Sequence, residues 1–148
     1  MQTTKVKKVF VQGPVSAEFI ADSISKHSKK YEIGAHSIFL GQVREDLIGG
    51  KKVESIVYSA YEEMAEQTIH EIREAAIKKH SLTCLHVYHS LGNVRKGEIC
   101  LFVFTSSIHR NEAIQACEEI VEAVKSNVPI WGKEILEDNS AEWKKENQ

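Results

Sequence analysis

The sequence contains few residues that cross-link or interrupt a chain: its 148 residues include three cysteines and two prolines. Cys84, Cys100 and Cys117 are far apart, form no C-x-x-C pair and have apolar neighbours. We therefore expect buried free thiols in a reducing compartment rather than a zinc site or a redox pair. The sequence also shows no apolar run of the ~20 residues that cross a bilayer and no signal-peptide pattern, so we expect a cytoplasmic protein.

The sequence also has no large excess of positive or negative charge. Nineteen Lys and Arg against 21 Asp and Glu give a net charge of −2, which argues against a strongly basic nucleic-acid binder and against a polyacidic tail protein. We expect neither a nucleic acid nor a membrane as a partner. The glycines do not follow the spacing of a dinucleotide, P-loop or G-x-S-x-G motif, and the seven histidines show no metal-ligand spacing. We therefore predict neither a metal site nor a cofactor.

The order of predicted elements points to one mixed domain over residues 1–148, with a polar tail at 137–148 that is prone to fraying. Two adjacent strand pairs break strict strand–helix alternation, which favours an α+β or mixed α/β fold with antiparallel pairing. The predicted strands are 6–11, 35–43, 53–60, 84–89, 99–105 and 130–136, and the predicted helices are 17–27, 62–79 and 111–128. We read residues 46–52 as a loop.

Local signals fix the ends of two helices. Ser16 is the predicted N-cap of the first helix and Asn111 of the third, and Pro129 stops the third. The third helix has the clearest apolar spacing in the chain, since Ala113, Cys117, Ile120 and Val124 repeat at helical intervals.

Three clusters of polar residues stand at predicted element ends, where sites usually form. They are the segment 41–44 with Arg44, the pair His109–Arg110 at a helix start, and Lys125 together with 131–134. A helix N-terminus and a guanidinium both attract anions, and a desolvated lysine can act as a base or nucleophile. The same residues could instead be solvated, with Arg110 paired to a nearby glutamate. From the residues alone, the prediction is an α+β domain with an anion pocket for a phosphorylated or carboxylated substrate.

At these clusters the sequence resembles the large, catalytic subunit family of molybdopterin synthase. The matching segments are GAHSIFLGQVR at 34–44, YSAYEEMA at 58–65, YHSLGNVRKGEICLFVFTSSIHRNEAIQAC at 88–117 and VKSNVPIWGKE at 124–134. Their order and spacing agree with the family, and together they cover most of the chain from 34 to 134.

The resemblance implies a hammerhead-like mixed α/β fold with an additional antiparallel β subdomain. It implies a homodimer flanked by two copies of a small ubiquitin-like sulfur carrier, that is, a heterotetramer. The carrier's C-terminal glycine thiocarboxylate would enter the large subunit's pocket and deliver two sulfurs to cyclic pyranopterin monophosphate, forming the dithiolene of molybdopterin. The thiocarboxylate is the nucleophile, so no catalytic cysteine is required.

The resemblance also implies the site residues. Arg44 would reach the partner subunit's pocket, and two lysines, Lys125 and Lys133, would move protons. The predicted substrate-binding set is Gln42, Val43, Arg44, His109, Arg110, Lys125, Gly132, Lys133 and Glu134.

One departure from the family pattern leaves two readings open. A lysine usually follows the tryptophan, whereas this chain has Gly132 and then Lys133. Either Lys133 reaches the same pocket in its place, or the protein lacks that group and is slower or only binds. The second reading describes a non-catalytic module that holds the carrier or a phosphorylated pterin.

Overall fold

The computed structural model describes residues 5–144, which contain three helices and eight strands. The helices are α1 (Ala17–Ser25), α2 (Glu62–His80) and α3 (Arg110–Asn127). The strands are β1 (Phe10–Gln12), β2 (Ala35–Gln42), β3 (Leu47–Ile48), β4 (Lys51–Ala60), β5 (Cys84–Arg95), β6 (Ile99–Ser107), β7 (Ile130–Leu136) and β8 (Ala141–Trp143). The predicted mixed α+β class is confirmed.

The helix ends follow from local chemistry, with one correction. Ser16 caps α1 as predicted, since its Oγ accepts from the Phe19 N–H at 3.1 Å. The predicted Asn111 cap of α3 is wrong: β6 runs to Ser107 and the helix starts at once, with His109 at the N-cap position. Ser107 Oγ instead accepts the Ala113 N–H at 3.0 Å and closes the first turn.

The strands join in the order β2-β6-β5-β4-β7-β8, with β1 parallel to β5 and β3 paired with β4. The central strand β6 is buried along almost its whole length because helices cover both of its faces. Leu101 and Val103 pack in the core beneath α2 and α3, while Phe102 and Phe104 pack with Phe19 of α1 on the other face. This alternation is the two-residue period of a strand.

Strand β5 is longer than the predicted strand 84–89 and pairs with β6, β1 and β4 in turn along its length. Its first half pairs with β6, and its second half, from Gly92 to Arg95, pairs with β4. Gly92 has a φ of 82° at the change of partner, a conformation that a side chain makes costly. The strands β3, β4, β7 and β8 extend the sheet from there by antiparallel pairing.

Two strands were not predicted. The loop expected at 46–52 is a hairpin between β3 and β4, which turns through Gly49 and Gly50, both at positive φ. The expected polar tail carries β8, whose Trp143 pairs with Lys133 of β7. Residues 145–148 of that tail lie outside the described part of the chain. Within residues 5–144, none of the helices has the combination of length and apolarity that a membrane span requires.

Gly34 generates a test of how tightly β2 is joined to the start of α3. A Cβ at this position would lie 2.1 Å from the backbone oxygen of Ile108. Because backbone cannot swing aside, Gly34→Ala should lower the free energy of unfolding by about 2 kcal/mol or more, as overpacked sites do. Urea unfolding measures the change.

Gly97→Ala is the matched control. Gly97 has open space around it and a φ of 87°, so its cost is backbone strain alone, about 1 kcal/mol. Equal losses in the two variants would show that the contact with Ile108 does not constrain the fold.

Candidate active-site cavity

A cavity of about 210 Å³ opens where β2, β4 and β7 approach the C-terminal end of α3. Its lining residues are Phe39, Leu40, Gly41, Gln42, Val43, Arg44, Asp46, Ile56, Tyr58, Cys100, Lys125, Glu134 and Lys144. A larger cavity of about 800 Å³ lies along the first turns of α2, and four glutamates line it: Glu62, Glu63, Glu66 and Glu71. Because that lining repels anions, the smaller cavity is the candidate site.

The cavity holds three cationic side chains and two carboxylates. Arg44, Lys125 and Lys144 supply the positive charge, and Asp46 and Glu134 the negative charge. Arg44 faces Asp46 with Nε–Oδ1 and Nη2–Oδ2 distances of 3.3 Å. That pair is largely exposed, so it contributes little stability and leaves the guanidinium available to a ligand. Glu134, in contrast, is only 3% exposed.

Tyr58 lies over Gly132 across the β4–β7 pair. The two residues are directly opposite in register, and a Cβ at position 132 would lie 3.2 Å from the Tyr58 ring and 2.8 Å from Cγ2 of Ile56. The Tyr58 ring therefore occupies space that is free only because residue 132 has no side chain. Burial, the nearby Cys100 thiol and Glu134 raise the pKa of Tyr58 far above its ordinary value, so the phenol keeps its proton and can donate it in a hydrogen bond.

A buried histidine packs against Tyr58. The His89 ring meets Tyr58 edge-on, with centroids 5.0 Å apart, and its Nδ1 donates to the Ser90 carbonyl at 2.7 Å. Burial and, to a smaller extent, the Lys125 charge lower the pKa of His89 to about 4, partly offset by that hydrogen bond. His89 is therefore neutral at pH 7, and Lys125 is the cation of this group.

Five of the predicted site residues line the cavity together: Gln42, Val43, Arg44, Lys125 and Glu134. Gly132 borders it through Tyr58. Arg44 was expected to serve a partner subunit, yet it lines the same cavity as Lys125 of its own chain. Val43 is buried and contributes backbone and packing rather than charge.

Lys133 is not among these lining residues, because side chains alternate along a strand. Gly132 and Glu134 are buried on one face of β7, while Lys133 is exposed on the other. Its Nζ lies 5.5 Å from the centroid of the Trp143 ring, a cation–π contact with β8. The expectation that Lys125 and Lys133 face one pocket is therefore not met within a single chain.

His109 and Arg110 lie at the opposite end of α3 from Lys125. Fifteen residues separate Arg110 from Lys125, which at 1.5 Å per residue is about 22 Å along the axis. Both residues are exposed. One chain thus presents two positively charged regions at the two ends of the same helix.

Sequence reasoning missed Tyr58, Asp46, Cys100 and Lys144. Tyr58 and Cys100 looked like ordinary strand residues, and only strand register brings them to the cavity. Lys144 falls in the segment expected to fray, but its N–H donates to the Gly132 carbonyl at 2.8 Å. The signal available in the sequence was Trp143 and its neighbours, an apolar residue in an otherwise polar tail.

The fold and this cavity define a mixed α+β protein with a cationic site at a helix end, and comparison with known proteins gives the family. The model of the MoaE protein family matches residues 13–127. A molybdopterin synthase catalytic subunit from Pyrococcus abyssi is 38% identical over 105 residues, 71% of this chain and 70% of the relative. The chain belongs to the MoaE family.

Solved structures agree on the fold. The crystal structure of molybdopterin synthase from Staphylococcus aureus superposes with a TM-score of 0.81 at 32% identity, covering 95% of this chain and 99% of that one. A complex of subunits 1 and 2 of the molybdopterin-converting factor from Helicobacter pylori has a TM-score of 0.80 at 22% identity, covering 95% and 91%. The second likeness concerns the fold alone.

The lowered pKa of His89 predicts that the stability of the fold depends on pH. The unfolded chain protonates this histidine near pH 6.5, whereas the folded chain does so only near its lowered pKa of about 4. The contribution of His89 to the free energy of unfolding is therefore fully present above pH 6.5. It is lost as the pH drops towards 4, and the loss is about 3 kcal/mol. Urea unfolding of the wild type and of His89→Gln at pH 7 and pH 4.5 measures the difference. A variant that loses as much stability on acidification as the wild type would contradict the assignment.

Proposed function

We propose that this chain is a molybdopterin synthase catalytic subunit, a sulfurtransferase that converts cyclic pyranopterin monophosphate to molybdopterin. The sulfur would come from the thiocarboxylated C-terminal glycine of a small ubiquitin-like carrier. One observation carries the proposal: in a chain of the MoaE family, Arg44, Lys125 and buried Glu134 converge on one cavity at a helix end. We place the reaction in the cytoplasm, where the free thiols of Cys84, Cys100 and Cys117 stay reduced.

The charge of the cavity suits both reactants. The carrier would bring an anionic thiocarboxylate, and the pterin carries an anionic phosphate. Arg44 offers a fork of donors, and Lys125 and Lys144 offer ammonium groups. The carboxylate of Glu134 keeps the cavity from being uniformly positive and can hold an ammonium in place.

The proposed chemistry needs proton transfer rather than a protein nucleophile. The thiocarboxylate sulfur attacks a pterin side-chain carbon, and the displaced oxygen leaves as water after taking up a proton. Water then cleaves the acyl–sulfur bond, which leaves sulfur on the pterin and returns the carrier as a carboxylate. Lys125 is the group we assign to proton transfer, and the neutral Tyr58 hydroxyl is a hydrogen-bond donor that lines the same cavity.

The positions of His109 and Arg110 support a homodimer in which a second copy completes each site. The two residues lie about 22 Å along α3 from Lys125, too far to touch one small substrate held in their own chain's cavity. A two-fold axis can bring the N-terminal end of one α3 to the cavity of the other chain. Arg110 and the free N–H groups of that helix would then bind the phosphate. Two carriers would complete a heterotetramer.

Subunit complementation tests this shared site. Lys125→Ala and Arg110→Ala should each lower the turnover rate at least tenfold when expressed alone, because Lys125→Ala removes proton transfer and Arg110→Ala removes phosphate binding. When the two variants are co-expressed in equal amounts, half of the dimers are mixed and each has one intact site. Turnover with thiocarboxylated carrier should then recover to about a quarter of the wild-type rate.

The control is the double variant Lys125→Ala/Arg110→Ala co-expressed with wild-type chain. With shared sites, both sites of a mixed dimer are broken, so mixed dimers are inactive. With sites built from one chain, mixed dimers keep half their activity and the single variants do not complement each other. That second pattern would overturn the shared site.

Lys133 remains a predicted catalytic residue. Because its side chain lies on the exposed face of β7 against Trp143, a substitution distinguishes a catalytic role from a packing role. If it acts in proton transfer, Lys133→Ala lowers sulfur transfer at least tenfold and leaves carrier binding unchanged. If it only packs on Trp143, the rate stays at the wild-type value and thermal stability falls instead, by a cation–π contribution of about 0.5–1 kcal/mol at this exposed site. Single-turnover rates and melting curves of Lys133→Ala, with Lys78→Ala as a surface control, separate the two.

The second candidate function is a non-catalytic module that binds the carrier or a phosphorylated pterin. The observation favouring it is Gly132, which stands where the family usually has a lysine. A single-turnover assay with thiocarboxylated carrier and pterin precursor distinguishes the two functions, because a module would bind both without forming a dithiolene.

A further inference from the structure

A second group of reactive side chains lies on the other face of the sheet, under the end of α1. His27 follows α1, and Cys84 and His86 are alternate residues of β5, so both project toward the helix side. One donor atom from each of the three lies within 4.8 Å of the others. His27 and Cys84 are each 8% exposed, and the His27 ring packs on Phe104 with centroids 4.9 Å apart.

The hydrogen bonds fix the tautomer of His27. Its Nδ1 lies 2.7 Å from the Ser23 carbonyl oxygen, which can only accept, so Nδ1 carries the proton and donates. In the neutral ring, Nε2 then has a free lone pair. A histidine whose other nitrogen donates to a backbone carbonyl is held in the orientation that metal-binding histidines have.

The lone pair of His27 points at a second imidazole. The two Nε2 atoms of His27 and His86 are 3.1 Å apart, close to the ~3.3 Å edge of a tetrahedron around zinc. His86 is half-buried beside the His27 ring, with the two ring centroids 5.0 Å apart. Without an ion, the distance between the Nε2 atoms requires His86 to donate an N–H to His27.

Cys84 adds a sulfur to this pair. Lys30 Nζ donates to the Cys84 Sγ at 2.9 Å, so this sulfur already faces a cation, and a cysteine sulfur is a zinc ligand. Lys30 is exposed, so its side chain can move into solvent when a cation takes its place. Two imidazoles and one thiolate are a donor set suited to zinc, with a fourth position open to water.

We propose that His27, Cys84 and His86 form a Zn²⁺ site that joins the end of α1 to β5, separate from the cationic cavity. The site revises the expectation that the chain binds no metal. Sequence spacing gave no sign of it because His27 and Cys84 are 57 positions apart and only the packing of α1 on the sheet brings them together. The proposal does not depend on the proposed sulfurtransferase activity, because none of its three residues lines the active-site cavity.

Metal binding by the purified full-length protein tests the site. After removal of metals with a chelator, the wild type should take up one Zn²⁺ per chain in equilibrium dialysis. Co²⁺ should give the visible bands of a tetrahedral ion and a thiolate-to-cobalt charge-transfer band. At a hundredfold excess over Kd, Zn²⁺ should raise the Tm by about 5–10 °C, since it binds only the folded chain.

Variants identify the ligands. Cys84→Ser should abolish the charge-transfer band, and His27→Gln and His86→Gln should each weaken Zn²⁺ binding by about 100-fold or more. Cys117→Ser and His70→Gln are the matched controls, because they change the same residue types elsewhere, and they should bind Zn²⁺ like the wild type. Melting of each chelator-treated variant shows whether it is folded.

The proposal fails if the wild type binds no Zn²⁺ when the ion is supplied at a concentration equal to that of the protein. In that case His27 and His86 form a hydrogen-bonded pair only. It also fails if the Tm of the wild type does not change with Zn²⁺. Binding that is equal in wild type, Cys84→Ser and His86→Gln would place the ion elsewhere and overturn the assignment.

Discussion

The pairing of β5 with β6 along its first half and with β4 along its second half is the constraint on which the rest of the structure depends. The first half of the strand is fixed by β6 in the buried centre of the sheet, and the second half carries β4, which in turn holds β7 and β8. The cavity forms in the part of the sheet that follows Gly92, where β5 begins to pair with β4. A change in the register of β5 would therefore move Tyr58, Glu134 and Lys144 together, and would leave α3 and Lys125 behind.

Strand alternation then decides which residues can act together. Glu134 faces the cavity and Lys133 faces Trp143, although the two are adjacent in sequence. On β5, the same rule sends Cys84 and His86 toward α1 and Leu85 into the opposite core. The protein thus keeps its two groups of polar residues on opposite sides of one sheet.

Much of the fold could be predicted from the sequence, and the site only in part. Apolar spacing and caps located the helices within a few residues, because those signals are local. The β3–β4 hairpin and β8 were missed, since strands of two and three residues, as β3 and β8 are, are too short to show a two-residue apolar period. Arg44 and Lys125 could be recognised from the family motif, whereas Tyr58 and Lys144 depend on the register of β4 and β8.

The packing of Tyr58 on Gly132 also limits how this protein can change. Because the ring fills the space that a side chain at 132 would need, the two positions are epistatic. A lysine introduced at 132 first meets the Tyr58 ring and Cγ2 of Ile56, and a smaller residue introduced at 58 first leaves a cavity. Either single step destabilises the fold, whereas changing both positions relieves the contact with the ring and leaves only the contact with Cγ2 of Ile56. The order in which mutations arrive at these two positions therefore affects which of them the fold tolerates.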